Sequence, residues 1–465
     1  MQDLVIEQPE LIATIDRLVG LMESPAPRLH SGKQPRRTNV DPVPVRRQTK
    51  QILRESLRAA EDGYEEISVA EGLQTLIDKA QAFSEREDGN SAIVILEAIT
   101  DTCRQEWDEL EEYGLDFDET GTTLDQAWTS AILSADLTPE EKVDLQVTLE
   151  NFQDELGGYF EMSLEALRQG WDYPPLQDVL RGDRASLWAN QSPSYANDLA
   201  QIRLQILERQ GWDEEYLSLA KAEEQTQLYL TKLSKLGDVE QAIAAAETSI
   251  TTAQEAFALA KSLREQGAIP EALQIALTGL NLEGRNLHDL ATWTRDLAEG
   301  LGDRAAALTA STIAFKTRPS FADYRRIETF TDDWPSIKLE LLNALRAYTT
   351  WGAEQAKIDT YLHEGLLDEA IAAVSSSGQI HRVMDAVLSD RPDWVTETAQ
   401  RRAEDIMNRG KAEAYAEAAQ WLAKARAAYL AVGRREDWVR YHSDLMRVHV
   451  RKHKMMGFLK SRELG

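Results

Sequence analysis

Apolar residues along this chain recur at helical rather than strand spacing. Over residues 4–22, Leu4, Leu11, Ile12, Ile15, Leu18, Val19 and Met22 follow the helical period, which predicts an N-terminal helix within 1–23. The pattern stops over 24–48, where Pro25, Pro27, Pro35, Pro42 and Pro44 are mixed with Arg28, Lys33, Arg36 and Arg37; a helix is not expected there, and an extended linker is. Helical spacing resumes near Thr49 and persists to about Leu187, predicting a helical domain over 49–189. Within it, Thr138-Pro139-Glu140-Glu141 reads as a helix start, with Thr138 as N-cap, Pro139 in the first turn and Glu141 closing a capping box. No run of alternating β-branched residues occurs, so the expected class is all-α.

Beyond a loop around Asn190–Tyr195 a turn pattern repeats: Gly237-Asp-Val-Glu-Gln-Ala242-Ile, Gly267-Ala-Ile-Pro-Glu-Ala272-Leu, Gly302-Asp-Arg-Ala-Ala-Ala307-Leu and Gly365-Leu-Leu-Asp-Glu-Ala370-Ile. Gly433-Arg-Arg-Glu-Asp-Trp438-Val is a looser copy. Each glycine can take the left-handed conformation that ends one helix, and the small residue five positions on lets the next helix approach closely. The glycines lie 30, 35, 63 and 68 residues apart, near one or two helical hairpins of tetratricopeptide length. The expectation is a stack of degenerate TPR-like hairpins, an α-solenoid, over 190–465.

At 465 residues the chain exceeds what one core usually supports. Its formal charge of −28 opposes non-specific binding to nucleic acids and anionic membranes unless charge is segregated. The N-terminus lacks the basic and apolar regions of a signal peptide, and the longest apolar stretch, Ala92 to Ile99, contains Glu97 and is too short to span a bilayer. The single cysteine, Cys103, forms neither an internal disulfide nor a thiolate zinc site. These features predict a cytoplasmic protein without membrane contact.

Several segments resemble the C-terminal helical region of bacterial SWIM zinc finger family proteins. They are Asp393-Trp394-Val395, Arg402-Ala403-Glu404-Asp405-Ile406-Met407, the stretch Ala418–Tyr429, and His449–Met456. Ala92–Thr100 and Gly170-Trp171-Asp172-Tyr173-Pro174-Pro175-Leu176 extend the resemblance over most of the chain. The family's Cys-x-Cys and Cys-x-His motif needs three cysteines, so the zinc finger itself is not carried onto any residue here. What the resemblance implies is a lineage of helices and turns, with the zinc-binding half on a separate polypeptide or absent.

Candidate chemistry is sparse. His442, His449 and His453 fall near one face if the segment is a single helix, but Arg447, Arg451, Lys452 and Lys454 around them oppose a divalent cation, so no metal is expected. The same basic C-terminal helix, with Arg440, Arg447, Arg451, Lys452 and Lys454, offers contacts to an acidic partner or, alternatively, to phosphates. The run Glu106, Asp108, Glu109, Glu111, Glu112, Asp116, Asp118, Glu119 lacks the EF-hand arrangement and reads as a solvated helix end and loop. Trp293, Trp351, Trp394, Trp421 and Trp438 lie in apolar helical patterns and are expected at helix–helix contacts, with one or two as exposed anchors. No P-loop, dinucleotide fingerprint or nucleophile elbow occurs, and no cofactor or catalytic residue is assigned. The expected function is a non-enzymatic protein–protein interaction scaffold. The alternative is a nucleic-acid-associated subunit acting through the basic helix or with a separate zinc-finger partner.

Overall fold

The computed structural model describes residues 38–62, 68–188, 191–375, 377–461 and 464. The helix expected within 1–23 and the linker as far as residue 37 lie outside the described residues. Among the described residues there are 24 α-helices and no strand, so the all-α class holds. No helix among them is long and apolar enough to cross a membrane. The chain divides into two compact units that meet between Ser249 and Ile250.

The first unit contains α1 (Pro42–Glu61), α2 (Val69–Ser84), α3 (Gly89–Glu112), α4 (Asp118–Leu133), α5 (Pro139–Glu155), α6 (Glu161–Gln169), α7 (Pro174–Leu180), α8 (Ala196–Gln210), α9 (Asp213–Ala222), α10 (Thr226–Lys235) and α11 (Val239–Ser249). The expected linker ends seven residues early, because α1 begins at Pro42. Asp41 caps it by accepting from the Val43 N–H at 3.0 Å, and prolines at the first helical positions forgo N–H groups that have no intrahelical acceptor. The capping box at Thr138 is present: Glu141 N–H donates to Thr138 Oγ1 at 3.2 Å, and Thr138 N–H donates to Glu141 Oε2 at 2.9 Å. Gly89 opens α3 against the end of α4, where an added Cβ would lie 2.2 Å from the Ala131 carbonyl oxygen; only glycine allows that approach.

The expected boundary near residue 190 falls inside this unit. α4 packs against α2, α3, α6 and α8, so the apolar faces of α8 and α9 (Leu199, Ile206, Leu207, Leu219) join one core with Leu73, Ile99 and Trp128. The Trp128 indole N–H is satisfied inside that core by Thr100 Oγ1 at 2.9 Å.

Asp125, buried on α4, supplies the cap that α6 lacks. It accepts from the Met162 and Ser163 backbone N–H groups at 3.2 and 2.9 Å and from the Ser163 hydroxyl. Burial nevertheless dominates and pushes its carboxyl up to about 6. Because this folded value lies above the unfolded one of ~3.9, the contribution is complete below that value and is lost as pH rises through 6, on the order of 2–3 kcal/mol. Asp125→Asn is expected to flatten the pH dependence of the first unit's stability between pH 4 and 7. Urea titrations across that range check it, and an unchanged slope counts against it.

The second unit contains α12 (Ala253–Glu265), α13 (Ile269–Gly279), α14 (Leu287–Leu301), α15 (Arg304–Thr317), α16 (Phe321–Phe330), α17 (Trp334–Ala347), α18 (Glu354–His363), α19 (Leu367–Ala373), α20 (Ser377–Val387), α21 (Pro392–Arg409), α22 (Tyr415–Ala431), α23 (Arg435–Val448) and α24 (His453–Leu459). Every extensive contact between its α-helices joins elements one or two apart in the chain. Its buried apolar residues form successive clusters, around Leu273 and Ala307, around Phe315, Tyr324 and Leu341, and around Val395, Trp421 and Met455.

The repeated glycine turns all sit between helices. Gly237, Gly267, Gly302, Gly365 and Gly433 have φ of 86°, 82°, 75°, 70° and 73°. At each, the glycine N–H bonds to the carbonyl three residues back and the next N–H to the carbonyl five back, as in Gly267 to Arg264 at 3.0 Å and Ala268 to Leu263 at 2.9 Å. The residues five positions on, Ala242, Ala272, Ala307, Ala370 and Trp438, are buried. Gly211 makes the same pair of bonds with φ 73°, followed five residues later by buried Tyr216. The sequence pattern missed it because tyrosine replaces the small residue.

Candidate interaction surfaces

The basic C-terminal segment is two helices rather than one. α23 ends at Val448, the chain turns over 449–452, and α24 begins at His453. The break lets Met455 and Leu459 reach the core formed with Trp438 and Leu445, and it removes the like-charged Arg447/Arg451 pair from a shared helical face. The three histidines are therefore not brought together. His442 is buried, stacked on Trp438 with centroids 5.5 Å apart, and its Nε2–H donates to the Leu459 carbonyl at 2.7 Å. His449 is buried in the turn, where desolvation and then Lys452 hold its pKa below the ordinary value. His453 is exposed. Among the described residues no group of three or more His, Cys, Asp or Glu side chains is placed to hold a metal.

The five basic candidates fall into different settings. Arg440 pairs with Asp437 at 3.1 Å and Arg447 with Asp444 at 2.9 Å, both within α23. Lys452 donates to the Met407 carbonyl in the last turn of α21, where the helix dipole favours a cation. Arg451 and Lys454 are exposed and make no ion pair or hydrogen bond among the described residues.

Trp421 on α22 is the centre of a mixed aromatic and cationic cluster in the second unit. His381 of α20 stacks on its ring, with centroids 3.8 Å apart and an interplanar angle of 22°. The Arg402 guanidinium of α21 lies 5.2 Å from the ring centroid. Desolvation, then the Lys424 charge, lowers the His381 pKa, favouring the neutral imidazole at pH 7. A cleft of about 350 Å³ opens beside this cluster, lined by Arg402, Asp405, Arg409, Lys411, Glu417 and Trp421. Asp405 and Arg409 pair across one turn at 2.7 Å, so positive and negative groups are interleaved in it.

The other tryptophans differ. Trp438 is buried and Trp293 and Trp394 are half-buried, as helix–helix contacts require. Trp351 is the exposed one of the five: it is 99% exposed, in the turn between α17 and α18 before Gly352, whose φ is 95°. The pattern around it is helical up to Ala347, and the chain then leaves the helix with Tyr348 extended. The acidic run lies where α3 ends and α4 begins, mostly exposed, with Glu106 paired to Lys50. Cys103 is fully buried, and desolvation alone pushes its thiol up to about 12, which leaves it protonated.

The segments that carry the family resemblance are packing elements. Ala92, Ile95, Leu96 and Ile99 of Ala92–Thr100 are core residues of α3, Trp171 donates from its indole to the Leu133 carbonyl at 2.8 Å, and Ala418–Tyr429 carries the buried face of α22. Neither a protein-family model nor a curated protein matches the sequence.

Proposed function

We propose that the chain is a non-enzymatic, cytoplasmic scaffold whose second unit is a TPR-like stack of helical hairpins that binds another polypeptide. The observation that carries this reading is Trp351. Burying an indole removes roughly 150–250 Å² from water, worth about 4–6 kcal/mol at the usual coefficient. Leaving it wholly exposed forgoes that stabilisation, and tryptophan is the residue type most enriched among binding hot spots. The neighbour-only helix contacts support the stack, because such an arrangement presents side chains along an extended surface. The free, buried Cys103 is in keeping with a reducing compartment.

The lineage we favour is the helical part of the SWIM zinc finger proteins, with any zinc-binding half supplied by a separate polypeptide. A nucleic-acid-associated role is the second reading, and unpaired Arg451 and Lys454 favour it. Affinity capture from the native host, after nuclease digestion, separates the two. The scaffold reading expects Trp351→Ser to weaken capture of specific proteins by roughly 30-fold, the equivalent of a 2 kcal/mol hot spot. Folding should change by less than about 0.5 kcal/mol, because the side chain touches little. Loss of all partners on nuclease treatment, or equal capture by both proteins, contradicts it.

A further inference from the structure

A groove of about 330 Å³ runs between α3 and α5 in the first unit. Ile93, Val94, Leu137 and Leu145 give it an apolar floor, and Glu97, Glu141 and Asp144 place three carboxylates along it. No lysine, arginine or histidine lines it among the described residues. Such a surface suits a segment that is both cationic and apolar.

The chain itself delivers one. Thr38 lines the groove and is fixed there: its N–H and hydroxyl donate to Asp88 Oδ2 at 3.1 and 2.8 Å, and its carbonyl accepts from the Ser91 hydroxyl at 3.0 Å. Residues 24–37 precede this anchor, carry Arg28, Lys33, Arg36 and Arg37 with Leu29 and three prolines, and contain no acidic residue. Fourteen residues reach at most roughly 45 Å when extended, far more than the ~10 Å of helix axis between Asn90 and Glu97. Tethering beside the site gives the segment an effective concentration of about millimolar, enough for contacts too weak to hold a free peptide.

We propose that this groove is the docking site of the chain's own residues 24–37, with their cations on Glu97 and Asp144 and their apolar side chains on the floor. This docking stands independently of the scaffold role of the second unit. Tryptic cleavage of the full chain at Arg28 and Lys33 tests it. At ~50 mM salt the wild type should be cut at least about tenfold more slowly than E97Q/D144N, and ~0.5 M salt should remove the difference as the charges are screened. Glu97 and Asp144 are exposed, so the variant should keep the wild-type unfolding midpoint. R36S/R37S, which removes two of the segment's cations, should be cut at Arg28 as fast as the groove variant. Equal rates in wild type and both variants overturn the docking. Protection that grows with protein concentration also overturns it, since the occupant would then be a second copy.

Discussion

Replacing Arg203 with alanine should destabilise the first unit by about 3–5 kcal/mol, the range for breaking one side of a buried charge network. Arg203 lies on α8 with 1% of its surface exposed. One of its terminal nitrogens donates to Gln169 Oε1 at 2.7 Å, while its Nε has no partner. Desolvation lowers its pKa to about 10, opposed by the nearby Glu223 and Glu165 charges. Glu223 is half-buried, accepts from the Trp188 indole N–H at 2.9 Å, and has its carboxyl raised by desolvation. Without the arginine, Glu223 would be a half-buried carboxylate that has lost its compensating charge and would titrate higher still. A raised folded pKa favours the protonated form, so the deficit should be smaller at pH 5 than at pH 8. R203M/E223Q, which keeps volume and removes both charges, should recover a large part of the loss. Urea unfolding monitored on the first unit checks this, and a loss below about 1 kcal/mol would show that Arg203 is not carrying the network.

Trp421→Ala should be the corresponding lesion in the second unit, costing about 3–5 kcal/mol, as expected for truncating a buried aromatic residue. The indole projects from α22 against His381 and Arg402, so its removal leaves a cavity and two polar groups without their ring partner. His381 should also titrate closer to its ordinary value, because the desolvation that lowers it is reduced. Denaturation combined with nuclear magnetic resonance titration of His381 reads both effects. An unchanged imidazole pKa would mean that the stack contributes little to its burial.

How much of this was legible in the sequence depends on which force fixed each feature. The glycine turns were legible because a left-handed residue followed by a small buried one is a local requirement, met at Gly237, Gly267, Gly302 and Gly365. The capping box at Thr138 was legible for the same reason. Arg203 was not: it shares a helical face with Leu199, Ile206 and Leu207, so spacing puts it in the core, but an arginine there reads as a solvent residue until its buried partners are known. The unit boundary was hidden likewise, since it depends on which core α8 and α9 join rather than on the loop before them. At the C-terminus, helical spacing continued through His449, whereas the demand of Met455 and Leu459 for the shared core breaks the helix there. Which of the five tryptophans is exposed was not legible, because composition does not reveal that the chain leaves the helix at Tyr348.

A second unit coupled only through neighbouring helices is the claim on which the scaffold reading stands. Native-state hydrogen exchange resolved by segment, comparing wild type with Trp421→Ala, tests it directly. In a neighbour-coupled stack the protection of α20–α24 should fall by several kcal/mol, while that of α12–α15 stays within about 0.5 kcal/mol of the wild type. A uniform loss across α12–α24 would mean that the unit opens as one cooperative body, and would contradict the stack.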